Sequence, residues 1–320
     1  MKAHQPLDFE KPISDLEKQL EELKRHSKLQ AVDLEREVQA MECKIEATRK
    51  QIYENLKAWE RVQLARHIAR PFALDYLQLA FSDFIELHGD RLFGDDHAMP
   101  CGFASLDHHR CVVVSHQKGR DTKENIRRNF GSAHPEGYRK ALRIMRLGAK
   151  FGLPIVALID TPGAYPGVGA EERHISESIA VNLREMMLLS TPIVAVVIGE
   201  GGSGGALGIG VADRVLMLEN AYYSVISPEG CAAILWRHRS HAPEAAEALK
   251  LTARDLKELK LIDEVIPEPI GGAHRDHAQA AANLKTALTT HLDQLVKKSK
   301  KQLLEERYHK FREMGQILES

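Results

Sequence analysis

Apolar residues recur at helical spacing through the first 70 residues, from Leu16 to Trp59, among many charged residues. Residues 13–70 contain neither glycine nor proline, so no residue there favours the end of a helix. The pattern predicts one or two long charged helices whose apolar steps of four and three resemble a heptad repeat. It is equally compatible with helices that contact a partner and with helices that fold back on their own domain. Residues 72–88 predict a further helix that ends before Gly89.

The pattern changes after Gly102 to alternating strands and helices. Apolar segments at 102–106 and 111–116 flank a short polar turn and predict an antiparallel hairpin. Two continuously apolar segments, 154–159 and 192–198, are typical of strands in a parallel sheet covered by helices. Further strands are predicted at 214–218 and 222–226, and helices at 135–151, 170–189, 228–237, 244–249 and 253–259. The predicted fold class is therefore α/β.

Prolines and glycines divide the chain into three predicted segments. Pro71 closes a helical segment, residues 1–70, which we expect to make partner or intersubunit contacts. The α/β pattern extends over residues 71–270 and forms the main domain. Pro267, Pro269, Gly271 and Gly272 mark the second boundary, beyond which residues 271–320 form a mostly helical, polar tail.

Charge and composition exclude several classes of protein. The 320 residues include 44 Lys and Arg against 45 Asp and Glu, which leaves no global positive field for nucleic acid or an anionic membrane. No apolar run approaches the roughly 20 residues of a membrane-spanning helix, and the first residues do not resemble a signal or transit peptide. Four widely separated cysteines favour reduced thiols and a cytoplasmic location.

Glycines are concentrated in the middle of the chain. Twelve of the 22 glycines lie between Gly148 and Gly210, mostly in two segments. We call residues 160–173 the first glycine segment and residues 199–208 the second glycine segment. Each follows a predicted buried strand and leads into a predicted helix, so free N–H groups at the helix start would face the carboxyl ends of the strands. Negative charge is stabilised at such a place.

The second glycine segment fits two known motifs by its letters alone. Gly199, Gly201 and Gly204 match the dinucleotide-binding pattern G-x-G-x-x-G, with Glu219 twenty residues after Gly199. That pattern usually opens its domain, whereas here at least one strand and helix precede it.

The first glycine segment also matches a known motif. Residues 160–163 match the D-x-x-G element of GTPases, but the sequence contains no G-x-x-x-x-G-K-[ST] phosphate loop.

A serine hydrolase is the second motif-based alternative. Residues 201–205 match the nucleophile elbow G-x-S-x-G, and Asp263 and His274 follow Ser203 in the order that a catalytic triad requires. Ser203 is also suited to be the N-cap of a helix. We favour that interpretation, because the neighbouring glycines make a match to the nucleophile elbow easy to satisfy.

The glycines themselves indicate an oxyanion hole without a nucleophile. Gly204 and Gly205 lack Cβ atoms, so a substrate oxygen can approach their peptide N–H groups at the helix start. One such donor lowers a barrier by about 3 to 4 kcal/mol when charge appears only in the transition state. The simpler alternative is that these glycines allow a helix and a strand to pack closely.

Several longer stretches give the chain a specific family resemblance. The chain resembles the carboxyltransferase alpha subunits of bacterial-type, multi-subunit acetyl-CoA carboxylase. The resemblance rests on residues 7–10, 64–67, 116–120, 122–131, 135–142, 159–173, 199–206, 223–231 and 256–263. His174 and Ile175 depart from the Gly-Gln pair expected in that family, and the tail after His274 follows it loosely.

The resemblance implies a crotonase-like (ClpP/crotonase) superhelix of ββα units. It further implies an alpha2beta2 heterotetramer that transfers a carboxyl group from carboxybiotin to acetyl-CoA and forms malonyl-CoA for fatty acid biosynthesis. A separate biotin carboxyl carrier protein would carry the biotin, and a separate biotin carboxylase would use ATP. This chain has no Met-Lys-Met biotin acceptor, no phosphate loop and no zinc ribbon of the kind typical of the beta partner. We therefore expect activity only with a beta subunit, and no metal on this chain.

The chemistry of the glycine segments agrees with this resemblance and leads to a hypothesis for individual residues. The N–H groups of Gly204 and Gly205 would stabilise the oxyanion on the biotin side. Four further residues are predicted to bind substrate: Gly163, Ala164, Gly201 and Gly202. A serine hydrolase of the same superfamily, with Ser203 as nucleophile, is the alternative.

Two charged or polar groups outside the glycine segments have simpler interpretations. A basic patch is more typical of a solvated helix face than of a site for CoA phosphates; its members are Lys118, Arg120, Lys123, Arg127 and Arg128. The histidine pair His108 and His109, like His238 and His241, is more typical of a polar surface than of a metal site.

Overall fold

The computed structural model describes residues 6–30 and 34–315. The helices are α1 (Lys11–Gln30), α2 (Glu35–Glu54), α3 (Ala58–Ala65), α4 (Ala73–Ala80), α5 (Thr122–Arg127), α6 (Pro135–Lys150), α7 (Val168–Glu172), α8 (Ile175–Leu188), α9 (Ser203–Leu207), α10 (Pro228–Leu235), α11 (Ala242–Ala248), α12 (Ala253–Glu258), α13 (His277–Leu295) and α14 (Lys300–Arg312). The strands are β1 (Ser82–Glu86), β2 (Cys101–Leu106), β3 (His109–Ser115), β4 (Ile155–Thr161), β5 (Ile193–Gly202), β6 (Arg214–Leu218), β7 (Tyr222–Ser224) and β8 (Glu264–Ile266). The parts of the predicted terminal segments at 1–5, 31–33 and 316–320 lie outside the described residues.

The strands form one sheet in the order β1-β2-β3-β4-β5-β6-β8, and β7 pairs with the end of β5. Strands β1 to β3 are antiparallel, whereas the pairs from β3 onward are parallel. Every residue of β4 and β5 is buried, as their continuous apolar pattern predicted. The carboxyl ends of β4 and β5 therefore lie side by side, and each leads into a glycine segment.

The N-terminal segment forms a helical hairpin. Helices α1 and α2 run antiparallel, since Lys24 Nζ lies 2.6 Å from Glu42 Oε1 and Arg49 lies 2.9 Å from Glu17. A small apolar core forms between them and α3; its buried members are Ile13, Ile45, Tyr53 and Leu64. The prediction of long charged helices is confirmed, and they fold back on one another. Arg275, just before α13, also pairs with Glu17 and so connects the hairpin to the rest of the chain.

The predicted helix at 72–88 is wrong in its second half. Helix α4 ends at Ala80, and the following residues form β1, which pairs with β2 at the edge of the sheet. Close backbone approach makes this pairing possible, because a Cβ on Gly102 would lie 2.0 Å from the carbonyl oxygen of Ile85. The apolar spacing of residues 81–87 resembles that of a helix, and it contains no information about the pairing with β2 that makes these residues a strand.

The predicted helix at 170–189 is interrupted. Helix α7 ends at Glu172 and α8 begins at Ile175, because His174 between them has a left-handed backbone with φ +65°. The family resemblance predicts glycine at this position, and glycine adopts such a backbone without strain. The short strand β8 is a further difference, since residues 264–266 were not predicted to be a strand.

The C-terminal helices pack on the main domain. Helix α13 buries Leu284, Leu288 and Leu292, and the fully buried Arg307 anchors α14. The Arg307 guanidinium donates to Asp213 at 2.8 and 2.9 Å and to the carbonyl oxygens of Met186, Leu189 and Thr191. No helix among the described residues is long and apolar enough to cross a membrane. The three-segment division of the chain stays a prediction.

Candidate functional site

The two glycine segments meet at the carboxyl ends of β4 and β5. A Cβ on Gly202 would lie 2.1 Å from the carbonyl oxygen of Pro162. A Cβ on Gly205 would lie 2.5 Å from both the Gly163 carbonyl carbon and the Ala164 nitrogen. These neighbours are backbone atoms, which cannot move aside as a flexible side chain can. The structure therefore brings four of the predicted site residues into contact: Gly163, Ala164, Gly202 and Gly205. The contact is possible because glycine has no side chain.

Gly204 and Gly201 have different surroundings. A Cβ on Gly204 would have ordinary contacts, the nearest being Ile179 Cδ1 at 3.6 Å, and Gly204 is half-buried. A Cβ on Gly201 would lie 2.8 Å from the Tyr223 ring, and Gly201 is buried. Close packing thus explains the glycines at 201, 202 and 205, as the simpler alternative predicted, but it does not explain Gly204.

Helix α9 begins inside the second glycine segment, and Gly204 and Gly205 are its second and third residues. The first N–H groups of any helix have no acceptor within the helix. Here Gly202 is the N-cap residue, and no side chain among the described residues caps the helix. The N–H groups of Gly204 and Gly205 are therefore placed at the positive end of a helix start, beside the first glycine segment.

The predicted catalytic triad is not assembled. Ser203, with φ +47°, lies on an apolar pocket of about 330 Å³ whose lining includes Tyr223 and Phe311 but neither Asp263 nor His274. Asp263 instead accepts from Val215 N at 2.6 Å and pairs with Lys310. His274 contacts the His67 ring, with centroids 4.3 Å apart, and lies 3.4 Å from Glu10 Oε1. Ser203 is also not the N-cap, which is Gly202, so neither serine interpretation is confirmed.

A buried ionic network lies at the carboxyl ends of β4 and β5, where the glycine segments begin. Lys118 Nζ is 2.6 Å from Asp160 Oδ1 and 2.7 Å from Glu200 Oε2. Asp160 Oδ1 also accepts from Glu200 N at 2.9 Å. The network continues outward, because Glu200 Oε1 accepts from Arg66 Nε and from the Tyr222 hydroxyl, each at 2.7 Å. It joins the beginnings of both glycine segments through charged side chains.

Charge pairing in this network opposes the effect of burial on the pKa of each member. Burial would raise the pKa of Glu200, but Lys118 and Arg66 outweigh it and lower that pKa to about 2. Burial alone would lower the pKa of Lys118, and the two carboxylates raise it overall. For Asp160 burial prevails and raises the pKa, although Lys118 opposes that shift. Removal of the lysine would therefore leave two buried carboxylates without their shared cation.

The sequence-based interpretation of the basic patch is wrong for Lys118. Its side chain is 12% exposed and fully paired, whereas Lys123 and Arg127 are exposed. Arg120 pairs with Asp75 at 2.5 Å, and Arg128 pairs with Glu124 at 3.0 Å. The available signal was the position of Lys118 just after β3, at the sheet edge that also carries Asp160 and Glu200.

A buried histidine and tyrosine lie near the same edge. His116 follows β3 and is fully buried, and its two ring nitrogens have no hydrogen-bond partner among the described residues. Its ring lies edge-on to Tyr138, with centroids 6.2 Å apart. The Tyr138 hydroxyl donates to the Gly205 carbonyl oxygen at 3.1 Å. This hydrogen bond from Tyr138 thus fixes the backbone of α9 at Gly205.

Comparison with known proteins decides the family. Residues 6–315 match the model of a family described as acetyl co-enzyme A carboxylase carboxyltransferase-like. The chain belongs to this family. Acetyl-coenzyme A carboxylase carboxyl transferase subunit alpha of Geobacter metallireducens is 57% identical over 319 residues, all of both chains. The protein of the same name from Thermus thermophilus is 57% identical over 314 residues, covering 98% of this chain and 99% of that one. The resemblance seen in the sequence is confirmed.

Solved structures support the fold of this carboxyltransferase family member. A transcarboxylase 12S structure matches with a TM-score of 0.59 at 20% identity and covers 74% of this chain, which spans 44% of the transcarboxylase chain. A Pseudomonas malonate decarboxylase hetero-tetramer in complex with coenzyme A matches with a TM-score of 0.58 at 15% identity, covering 73% of this chain and 91% of that one. These matches confirm the predicted α/β fold class.

Proposed function

We propose that this chain works with a beta subunit to transfer the carboxyl group of carboxybiotin to acetyl-CoA, which forms malonyl-CoA for fatty acid biosynthesis. Full-length identity to alpha subunits of acetyl-CoA carboxylase supports the reaction class. The observation that carries the site assignment is the contact of the two glycine segments beside the start of α9, which no side chain of the described residues caps. No side chain is assigned as a nucleophile.

The N–H groups of Gly204 and Gly205 donate to the oxygen on which negative charge develops. Their place at a helix start favours an anion, both because the N–H groups lack an intrahelical acceptor and because the helix dipole is positive there. Carboxybiotin supplies the carboxyl group as a substrate. Four small residues of the two glycine segments surround its pocket: Gly163, Ala164, Gly201 and Gly202. Their small size keeps the two segments in contact and their peptide groups close to the substrate.

The remaining machinery lies on other chains. A biotin carboxyl carrier protein presents the substrate, a biotin carboxylase uses ATP to load it, and a beta subunit binds acetyl-CoA in an alpha2beta2 assembly. Relatives named as subunits and a neighbour solved as a hetero-tetramer support this arrangement. We propose a cytoplasmic location and no membrane or nucleic-acid partner. The four cysteines are unpaired thiols, which is usual in a reducing compartment.

Reconstitution tests the activity. The purified chain alone is expected to be inactive, whereas the chain mixed with a beta subunit should decarboxylate malonyl-CoA when free biotin is present. The reaction is followed as acetyl-CoA formation with and without biotin. Activity of the isolated chain, or turnover that does not depend on biotin, would contradict the proposal.

A pair of variants at Gly204 tests the proposed donor. Gly204→Pro removes the N–H group, which has no intrahelical acceptor at the second position of α9. Gly204→Ala keeps the N–H group and adds a methyl group that the structure accommodates. We expect Gly204→Pro to lower kcat by roughly 100- to 1000-fold, with Gly204→Ala much closer to wild type. Thermal unfolding and assembly with the beta subunit verify that both variants fold, and equal kcat in a folded Gly204→Pro variant would refute the assignment.

A further inference from the structure

Two histidines and a carboxylate converge far from the glycine segments. His108 and His109 lie at the turn of the β2–β3 hairpin, and Asp293 lies in the last turn of α13. The Nε2 atoms of His108 and His109 are 2.8 and 2.9 Å from the same Asp293 oxygen, Oδ1. Within residues 6–30 and 34–315, this is the one group of three such side chains whose ligand atoms all lie within 4.8 Å of one another.

The hairpin turn is held in place independently of the three side chains. Asp107, with φ +50°, forms the turn, and its carboxylate lies 2.6 Å from Lys285 Nζ and 3.2 Å from Thr289 Oγ1 on α13. The His109 side chain is 8% exposed, so its ring has a fixed direction, whereas His108 and Asp293 are open to solvent. The cluster is therefore both preorganised and accessible.

We propose that His108, His109 and Asp293 bind a Zn²⁺ ion, with water as the fourth ligand. Two imidazoles and one carboxylate form a usual zinc donor set. Tetrahedral zinc with ligand distances of about 2.0 to 2.1 Å separates its ligand atoms by about 3.3 Å. The observed nitrogen–oxygen distances need to increase by only about half an ångström to reach that value. The last turn of α13 carries no basic side chain, so its negative helix end also favours a cation.

The position of the cluster indicates a structural ion. Strand β3 runs parallel to β4, and His109 is the first residue of β3. The cluster is thus at the amino end of these strands, whereas the glycine segments follow their carboxyl ends. A bound ion would link the β2–β3 hairpin to α13 and stabilise that contact, and it would not take part in carboxyl transfer.

Zinc titration of the full-length chain, without a beta subunit, tests the proposal. After chelator treatment, we expect one Zn²⁺ per chain by equilibrium dialysis and a higher thermal midpoint with Zn²⁺ than without it. Co²⁺ serves as a spectroscopic probe and should give the intense visible absorption of a four-coordinate site. Neither measurement involves biotin or acetyl-CoA, so the result is independent of the carboxyltransferase activity.

Matched variants separate a zinc site from simple hydrogen bonding. Asp293→Asn keeps an oxygen that can accept from both histidines, so the hairpin contact survives while the negative charge is lost. Asp293→Asn and His108→Gln, each made as a single variant, should both weaken Zn²⁺ binding by roughly ten-fold or more. Even the loss of a residue that contacts a metal ligand, and not the metal itself, reaches that range. His238→Gln, at an exposed histidine outside the cluster, should leave the affinity unchanged. The proposal is overturned by an absence of stoichiometric binding in the wild type, by unchanged affinity in both cluster variants, or by an equal loss in His238→Gln.

Discussion

Lys118 Nζ lies 2.6 Å from Asp160 Oδ1, and the two residues stand at the carboxyl ends of the neighbouring strands β3 and β4. The same ammonium group reaches Oε2 of Glu200, near the carboxyl end of β5, at 2.7 Å. One cation therefore joins three adjacent strands at the edge from which both glycine segments emerge. It fixes the positions of the two segments relative to each other without belonging to either.

Replacement of Lys118 by methionine should strongly destabilise the chain. A buried ion pair that loses one partner costs about 3 to 5 kcal/mol. Here Asp160 would lose its ion-pair partner, whereas Glu200 would keep Arg66. Urea unfolding measures the change in the free energy of unfolding. Lys123→Met, at an exposed position in the same part of the sequence, is the matched control and should change it by less than about 0.5 kcal/mol. Equal effects of the two substitutions would show that the network contributes little.

Alanine should destabilise the chain at Gly205 but not at Gly204. A methyl group at Gly205 meets backbone atoms of Gly163 and Ala164 at 2.5 Å, so the two glycine segments must separate. Overpacking of this kind costs about 1 to 3 kcal/mol, and turnover with a beta subunit should fall as well. Gly204→Ala should keep nearly wild-type stability. Equal thermal midpoints for the two variants would contradict the described contact between the segments.

Glycine at His174 should stabilise the chain. The left-handed backbone of a non-glycine residue costs about 1 to 3 kcal/mol, whereas glycine loses about 0.5 to 1 kcal/mol through its larger unfolded-state entropy. His174→Gly should therefore raise the free energy of unfolding by up to about 2.5 kcal/mol. His309→Gly, the same substitution within α14, should lower it, because glycine is unfavourable inside a helix. A decrease in both variants would contradict the strained backbone at His174.

His116 should make the stability depend on pH. Burial, with a contribution from Lys118, lowers its pKa from 6.5 to about 3. Between those values the unfolded chain binds one proton more than the folded chain, so stability is full above pH 6.5 and falls as the pH decreases toward 3. The slope from this group approaches about 1.4 kcal/mol per pH unit.

Removal of the buried imidazole should remove that slope. Urea unfolding of wild type and His116→Gln at several values from pH 7 to 5 measures it, with the exposed His238→Gln as the control for loss of a histidine. A wild-type slope that His116→Gln retains would mean that the folded protein protonates His116 as readily as the unfolded chain does.

The sequence predicted the elements whose signal is local and misassigned those that depend on contacts with distant residues. Continuous apolar runs predicted β4 and β5, and the same runs located both glycine segments at strand ends. The first segment of the chain was correctly predicted as long helices because helical periodicity is local. Residues 81–87 were misassigned because pairing with β2, through the space left at Gly102, outweighs their local spacing.

The sequence by itself determined the α/β class, the position of the glycine segments and the family, since all three depend on local patterns and identities. Tertiary structure alone decided that Lys118 joins Asp160 and Glu200, that Gly202 and Gly205 pack on the neighbouring turn, and that Asp293 meets two histidines 184 and 185 residues away. These contacts depend on strand register and helix placement. Such placement is set by the burial of the whole core, and no local window of residues contains it.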